Sequence, residues 1–180
     1  LPLQSAKGGL QVGALQSNVR LRASPLSRVG ALFGTVMDGT VAAAGEIRGP
    51  LQSLQPDLQI EVNSPRAGAV RLVENWKGRF EGRPGGGGQL QMASVGAVIP
   101  GSLEAQLGSN WLPESVRLQR RKGELQISGS PALYRWTAND MNVDGLELVL
   151  PPKHRWEGLY GRLSGSGDFS LQPWSLSAAS

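Results

Sequence analysis

The 180-residue chain has no cysteine. That excludes disulfide frameworks, thiolate catalysis and every cysteine-based zinc site. It has a single histidine, His154, so no multi-histidine metal site exists and only one residue could serve a histidine-dependent triad. No apolar run approaches the roughly 18–20 residues that span a bilayer. Aromatic residues are only 6% of the chain, so a dense sandwich core would be built mostly from Leu and Val. The net charge of +4 is a mild excess, enough for weak attraction to anionic lipid or nucleic acid and too small to name either. Gly (25) and Pro (12) make up about a fifth of the residues. That is below the roughly 25–30% that signals low complexity, so the chain is expected to fold. It begins Leu1-Pro2-Leu3, without a signal-peptide pattern, and reads as one domain, residues 1–180, cut from a longer protein.

Helical periodicity is nearly missing. One stretch, Ser24 to Phe33, places a Ser before a Pro and apolar residues at 26, 29, 32 and 33, which predicts at most a helical turn. Elsewhere the period is two. Val19, Leu21 and Ala23 alternate with Asn18, Arg20 and Arg22. Leu58, Ile60 and Val62 alternate with Asp57, Gln59, Glu61 and Asn63. The same holds for Leu90 and Met92, for Leu103, Ala105 and Leu107, for Val116 and Leu118, for Leu125 and Ile127, and for Phe169 and Leu171. Such segments are strands with one apolar and one polar face. The pattern predicts an all-β, antiparallel sheet of about a dozen strands. Leu146 to Leu150 is more continuously apolar and predicts a strand covered on both sides. Gly-Pro, Asn/Asp-Gly and Gly-rich stretches punctuate the strands. A loose repeat runs through Gly45-Glu46-Ile47-Arg48-Gly49, Gly78-Arg79-Phe80-Glu81-Gly82, Gly123 to Ile127 and Gly158 to Gly161.

No constellation supports an enzyme. Asp140-Met141-Asn142-Val143-Asp144-Gly145 matches half of a calcium loop, but Pro151 stands where the bidentate Glu belongs. The stretch reads instead as an Asp-Gly hairpin turn. Gly85 to Gly88 lacks the Lys and Ser/Thr of a phosphate loop and reads as a flexible turn. His154 reads as a solvated loop residue. Arg120-Arg121-Lys122 reads as a solvated hairpin turn. Trp76, Trp111, Trp136, Trp156 and Trp174 suit a rim or core better than a stacking platform. No metal, cofactor or nucleic-acid partner is expected.

The apolar faces must be hidden from water. A sandwich or barrel, a solenoid, or a trough around an apolar ligand would each do so. The trough would be lined by Leu58, Ile60, Val62, Leu90, Met92, Leu103, Leu107, Val116, Leu118, Leu125, Ile127, Leu146 and Leu148.

The chain resembles the TamB family. The likeness is carried by Gly45 to Leu51, the strand Leu58 to Asn63, Gly68 to Leu72 and Trp76-Lys77-Gly78-Arg79-Phe80-Glu81-Gly82. It continues in Leu133 to Trp136, Asp144 to Leu148, Trp156-Glu157-Gly158 and Gly161 to Gly165. It is closest to the cyanobacterial and chloroplast-type branch. The resemblance implies an AsmA-like, bridge-type lipid transfer protein, anchored in the inner membrane and crossing the periplasm, or the equivalent space of a plastid envelope. It implies a curled sheet, a β-taco, whose apolar groove holds phospholipid acyl chains. It also implies that other parts of the longer chain meet an Omp85-type outer-membrane protein, and that the role includes outer-membrane protein assembly. The rivals are a structural solenoid or adhesin-like stalk and a sandwich that binds carbohydrate through Trp.

Overall fold

In a computed structural model the chain is all-β. The structure describes residues 3–6, 9–12, 14–32, 36–50, 53–68, 70–148, 158–171 and 174–179. The strands β1 (Leu3–Ala6) and β2 (Gly9–Val12) form a separate two-stranded ribbon. All others join one antiparallel sheet: β3 (Leu15–Pro25), β4 (Met37–Gly49), β5 (Gln55–Ala67), β6 (Val70–Leu72), β7 (Asn75–Gly82), β8 (Gly88–Val95), β9 (Gly101–Leu107), β10 (Pro113–Arg120), β11 (Gly123–Ser130), β12 (Leu133–Asn142), β13 (Leu146–Leu148), β14 (Arg162–Leu171) and β15 (Trp174–Ala179). The sheet is open, neither closed nor strongly curled. The antiparallel sheet read from the alternation is therefore present.

Strands follow one another as hairpins from β7 to β12, and β14 and β15 extend the sheet beyond β12. One connection breaks this order. After β12 the chain turns at Val143, where Leu146 N–H donates to Val143 O at 3.0 Å, and β13 runs back to pair with β6. Leu146 then faces Leu72 and Leu148 faces Val70. The Asp-Gly turn is thus real, but it is not a hairpin, because β13 does not pair with β12. The expected coverage of Leu146 and Leu148 on both sides is only partial, since both are half-buried on this short ribbon, and Val149 and Leu150 lie outside the described residues.

The helical turn is α1 (Ser27–Leu32), where Gly30 N–H donates to Leu26 O at 2.9 Å. It starts later than expected: Ser24 and Pro25 still belong to β3, held opposite Val41 and Thr40 of β4.

Two of the repeated glycines are explained by close backbone approach rather than by turns. A Cβ on Gly78 would lie 1.9 Å from Gln91 O, and one on Gly45 would lie 2.0 Å from Asp57 O. Both sit in mid-strand, where only a missing side chain allows the neighbouring strand so near.

Full burial is sparse. Among the described residues the buried apolar side chains are Trp76, Phe80, Ile99, Ala105, Tyr134, Ala138 and Met141. The chain exposes 11901 Å². A compact monomer of 19.1 kDa would expose roughly 8,400 Å². An open sheet without a second layer among the described residues contributes to that excess.

Candidate functional site: the apolar face and its covered end

Residues directly opposite one another on paired strands point to the same face. The register therefore shows which side chains form rows. One row crosses Leu58, Phe80, Leu90, Ala105, Val116, Ile127 and Trp136. The adjacent row crosses Ile60, Gly78, Met92, Leu103, Leu118, Leu125 and Ala138. Val62 lies opposite Trp76 in the next row, and Leu107 opposite Gly88 on the other flank. The predicted lining residues of β5 and β8–β11 thus share one face. Leu146 and Leu148 stand apart on the β6–β13 ribbon. All thirteen are half-buried, neither sealed nor fully exposed.

The opposite face is charged and paired. Arg79 donates through Nε and Nη2 to the two carboxylate oxygens of Asp57, both at 2.7 Å, and its Nη1 lies 3.0 Å from Glu81. Arg117 meets Glu124 at 2.6 Å. Glu124 also accepts from Gln119 at 3.1 Å and from Gln126. These bonds, the one from Arg117 first, pull its carboxyl down to about 2. Arg79 likewise holds Asp57 below its ordinary value. Asp57 is solvent-exposed and Glu124 half-buried beside an exposed Arg117, so the pairs give the face its register and solubility more than its stability.

Cover over the apolar face is uneven: within the rows Phe80, Ala105 and Ala138 are buried, and further cover lies towards the two flanks. On one flank the Tyr134 hydroxyl donates to Pro113 O at 2.7 Å, Tyr134 stacks on Phe169 at 5.1 Å, and Phe80 meets Trp111 at 5.9 Å. Burial raises the Tyr134 phenol above its ordinary value. On the other flank lie Trp76, Ile99, Arg120 and Met141. A bulge in β12, with Asp140 at φ 50°, keeps Met141 on the same face as Ala138; without the extra residue it would point to the other face.

Arg120 corrects the sequence reading. It is not a solvated turn residue: it is 1% exposed and ion-paired through Nη2 with Glu74, itself in the bend between β6 and β7. Val116, Leu118 and Arg120 have the same parity, so the alternation itself places Arg120 among the apolar residues. Arg121, at φ 55°, makes the turn. Gly145 lies against the pair. It has φ +83°, and a Cβ there would stand 2.9 Å from Glu74 Oε1 and 3.2 Å from Arg120 Nη2. Arg120 Nε and Nη1 and Glu74 Oε2 have no hydrogen-bond partner among the described residues. A buried polar atom left so costs about 1–3 kcal/mol.

A cavity of about 650 Å³ opens here, with Glu74, Val98, Arg120, Arg121, Asp144 and Tyr160 in its wall. None of the thirteen predicted lining residues reaches it. A smaller depression of about 360 Å³ lies where Ala42, Ala43 and Ala44 leave room beside Ile60 and Gly78.

The remaining sequence candidates are dispersed. The Asp140 carboxylate takes Arg162 at 2.8 and 2.9 Å, while Asp144 accepts from Gly161 N–H at 2.8 Å. The Gly161 bond, first among its causes, lowers the Asp144 carboxyl. Gly85 to Gly88 forms the β7–β8 turn, in which Arg83 N–H donates to Gly87 O at 3.1 Å. Trp76 is buried, Trp111 is 40% exposed and Trp136 is half-buried. His154 and Trp156 lie outside the described residues, as does the side chain of Trp174.

Comparison with protein-family models, curated proteins and solved structures found no match.

Proposed function

We propose that this chain is a non-catalytic segment of a cell-envelope bridge whose apolar sheet face carries phospholipid acyl chains between membranes. The observation that supports it is the pair of adjacent apolar rows running from β5 to β12, half-buried at most positions though buried at Phe80, Ala105 and Ala138, and without a second layer among the described residues. Contiguous apolar surface beyond a few hundred Å² marks a site of interaction. The rows are aliphatic apart from Phe80 and Trp136 and offer no charged group to select a head group, which suits acyl chains.

The energetics give the mechanism. Each CH₂ removed from water is worth about 0.8 kcal/mol, so a sixteen-carbon chain crossing water meets a barrier of roughly 12 kcal/mol. Sliding along a continuous apolar strip removes most of it. The TamB-like resemblance extends this reading: the sheet curls further round its cargo, into the β-taco and groove. The longer parent is anchored in the inner membrane, spans the periplasm or plastid equivalent, and meets its outer-membrane partner through other parts. A contribution to outer-membrane protein assembly belongs to the same reading.

The test is photo-crosslinking. A crosslinker at Ile127 or Leu118 should capture phospholipid from cells, and one at Gln126 or Arg117, on the charged face, should not. Equal capture from both faces, or none from the apolar one with no lipid in native mass spectrometry, would overturn the proposal in favour of a dry stalk or sandwich.

A further inference from the structure

We infer that the free edge of β3 takes up an acidic β-strand from a partner protein. Among the described residues β3 is hydrogen-bonded to β4 alone, so the backbone groups on its outer side have no strand to pair with. Such an edge is a template for one more strand. Charge says which kind. Every arginine and lysine in the strands β4 to β14 is ion-paired, most of them with an acid on the neighbouring strand, as Lys77 is with Glu61 and Arg135 with Asp168. Arg20 and Arg22 of β3 are the exception: both are exposed, and neither has a partner among the described residues. On the inner side Arg20 faces Ala44, which has no acceptor to offer it. A carboxylate on a strand added at the outer side would stand opposite Arg20 as Asp168 stands opposite Arg135.

The register fixes the rest of the partner. Arg20 lies on the polar face, in line with Ala44, Gln59 and Arg79. Val19 and Leu21 continue the apolar rows, through Gly45 to Leu58 and through Ala43 to Ile60, and Leu21 is 42% exposed. A strand that matches both faces alternates apolar and acidic residues. The bulge at Arg22 and Ala23, then Pro25, interrupts the edge, so the open stretch is Leu15 to Leu21. A second copy of this chain is a poor match, because neither β3 nor the strand at the opposite edge, β15, contains an acid. The site does not depend on the acyl-chain reading.

The probes are two short soluble peptides, one alternating valine with glutamate and one alternating valine with lysine, titrated into the full chain. The glutamate peptide should bind saturably, about tenfold or more tighter than the lysine peptide, and should slow hydrogen exchange of amides between Leu15 and Leu21. Methylating its backbone amides should abolish binding, since strand addition uses them. In the double variant Arg20→Glu with Arg22→Glu the preference should reverse in favour of lysine. Should that variant fail to fold, the two peptides on the parent chain decide. No saturable binding of the glutamate peptide overturns the proposal, as do equal binding of the two peptides, binding that survives methylation, or binding without protection of β3. Concentration-dependent protection of Leu15 to Leu21 in the chain alone would overturn it too, by assigning the edge to a second copy. Acyl capture at Ile127 is read separately, so either proposal can fall while the other stands.

Discussion

The middle of the apolar face and its Arg120 end share strands yet differ in kind. At Leu103, Leu118 and Leu125 the side chains are half-buried beside one another, with solvent still in reach. At Trp76, Arg120 and Met141, in the flanking row of β7, β10 and β12, exposure falls to 1–2%. One crossing contributes to the difference. β13 returns to β6 and brings Gly145 against Arg120 and Glu74, so the same period-two alternation meets a covering segment at that end. Alternation decides which face a residue takes; topology decides what meets it there.

The largest expected effect breaks the covered end. Glu74→Leu alone leaves the Arg120 charge buried without a partner and should cost about 3–5 kcal/mol. At roughly 2–4 °C per kcal/mol for a chain of this size, thermal melting reads this directly. The double replacement with Arg120→Met should recover most of the loss. A single variant as stable as the parent would mean that the end is wet.

Gly78→Ala comes next. It drives a methyl against Gln91 O in mid-sheet, and should cost about 1–3 kcal/mol in denaturant unfolding. Gly68→Ala, where nothing stands within 4 Å but φ is +59°, should cost less. Equal losses would show that the neighbouring strand gives way easily at Gly78, against the close approach argued for it.

Leu118→Glu sharpens the contrast. A carboxylate at a half-wet wall keeps water, so the fold should survive with a loss of about 1 kcal/mol, while acyl capture at Ile127 disappears. Met141→Glu, in the covered end, should cost several times more. Similar melting points for the two variants would erase the distinction between the regions.

The smallest effect is on the charged face. Glu124 titrates near 2 in the fold, below its ordinary 4.5. Its depressed value makes the pairing stabilising above about pH 4.5, with the contribution lost as pH falls towards about 2. The melting difference between the parent and Glu124→Gln should therefore shrink over that range. A difference that grows on acidification would contradict the pairing with Arg117.

Much of this could be read before any coordinates. Every alternating segment named from the sequence lies in a strand, because one solvated and one apolar face force a period of two. β4 was harder to see: Ala42, Ala43 and Ala44 are small enough for either face and print no alternation. β12 hides its pattern behind the bulge at Asp140. The Arg120–Glu74 pair needed the crossing, since nothing local brings the bend after β6 to the end of β10. The parity of Val116, Leu118 and Arg120, rather than the positive charge of the run 120–122, is what places Arg120.

The β6–β13 ribbon also bears on how the chain reaches this state. From β7 to β12 every pairing joins sequence neighbours, so each hairpin can form locally and extend its predecessor with little loop-closure entropy. Pairing Leu72 with Leu146 instead requires all six of those strands to be in place first. The ribbon should thus be the last element to assemble and the first to open. In native-state hydrogen exchange, its amides should exchange at lower opening energy than those of β10 and β11. The Arg120 end would then act as a latch on an already ordered sheet, and protection of the ribbon equal to that of the sheet centre would show instead that the chain folds as one unit.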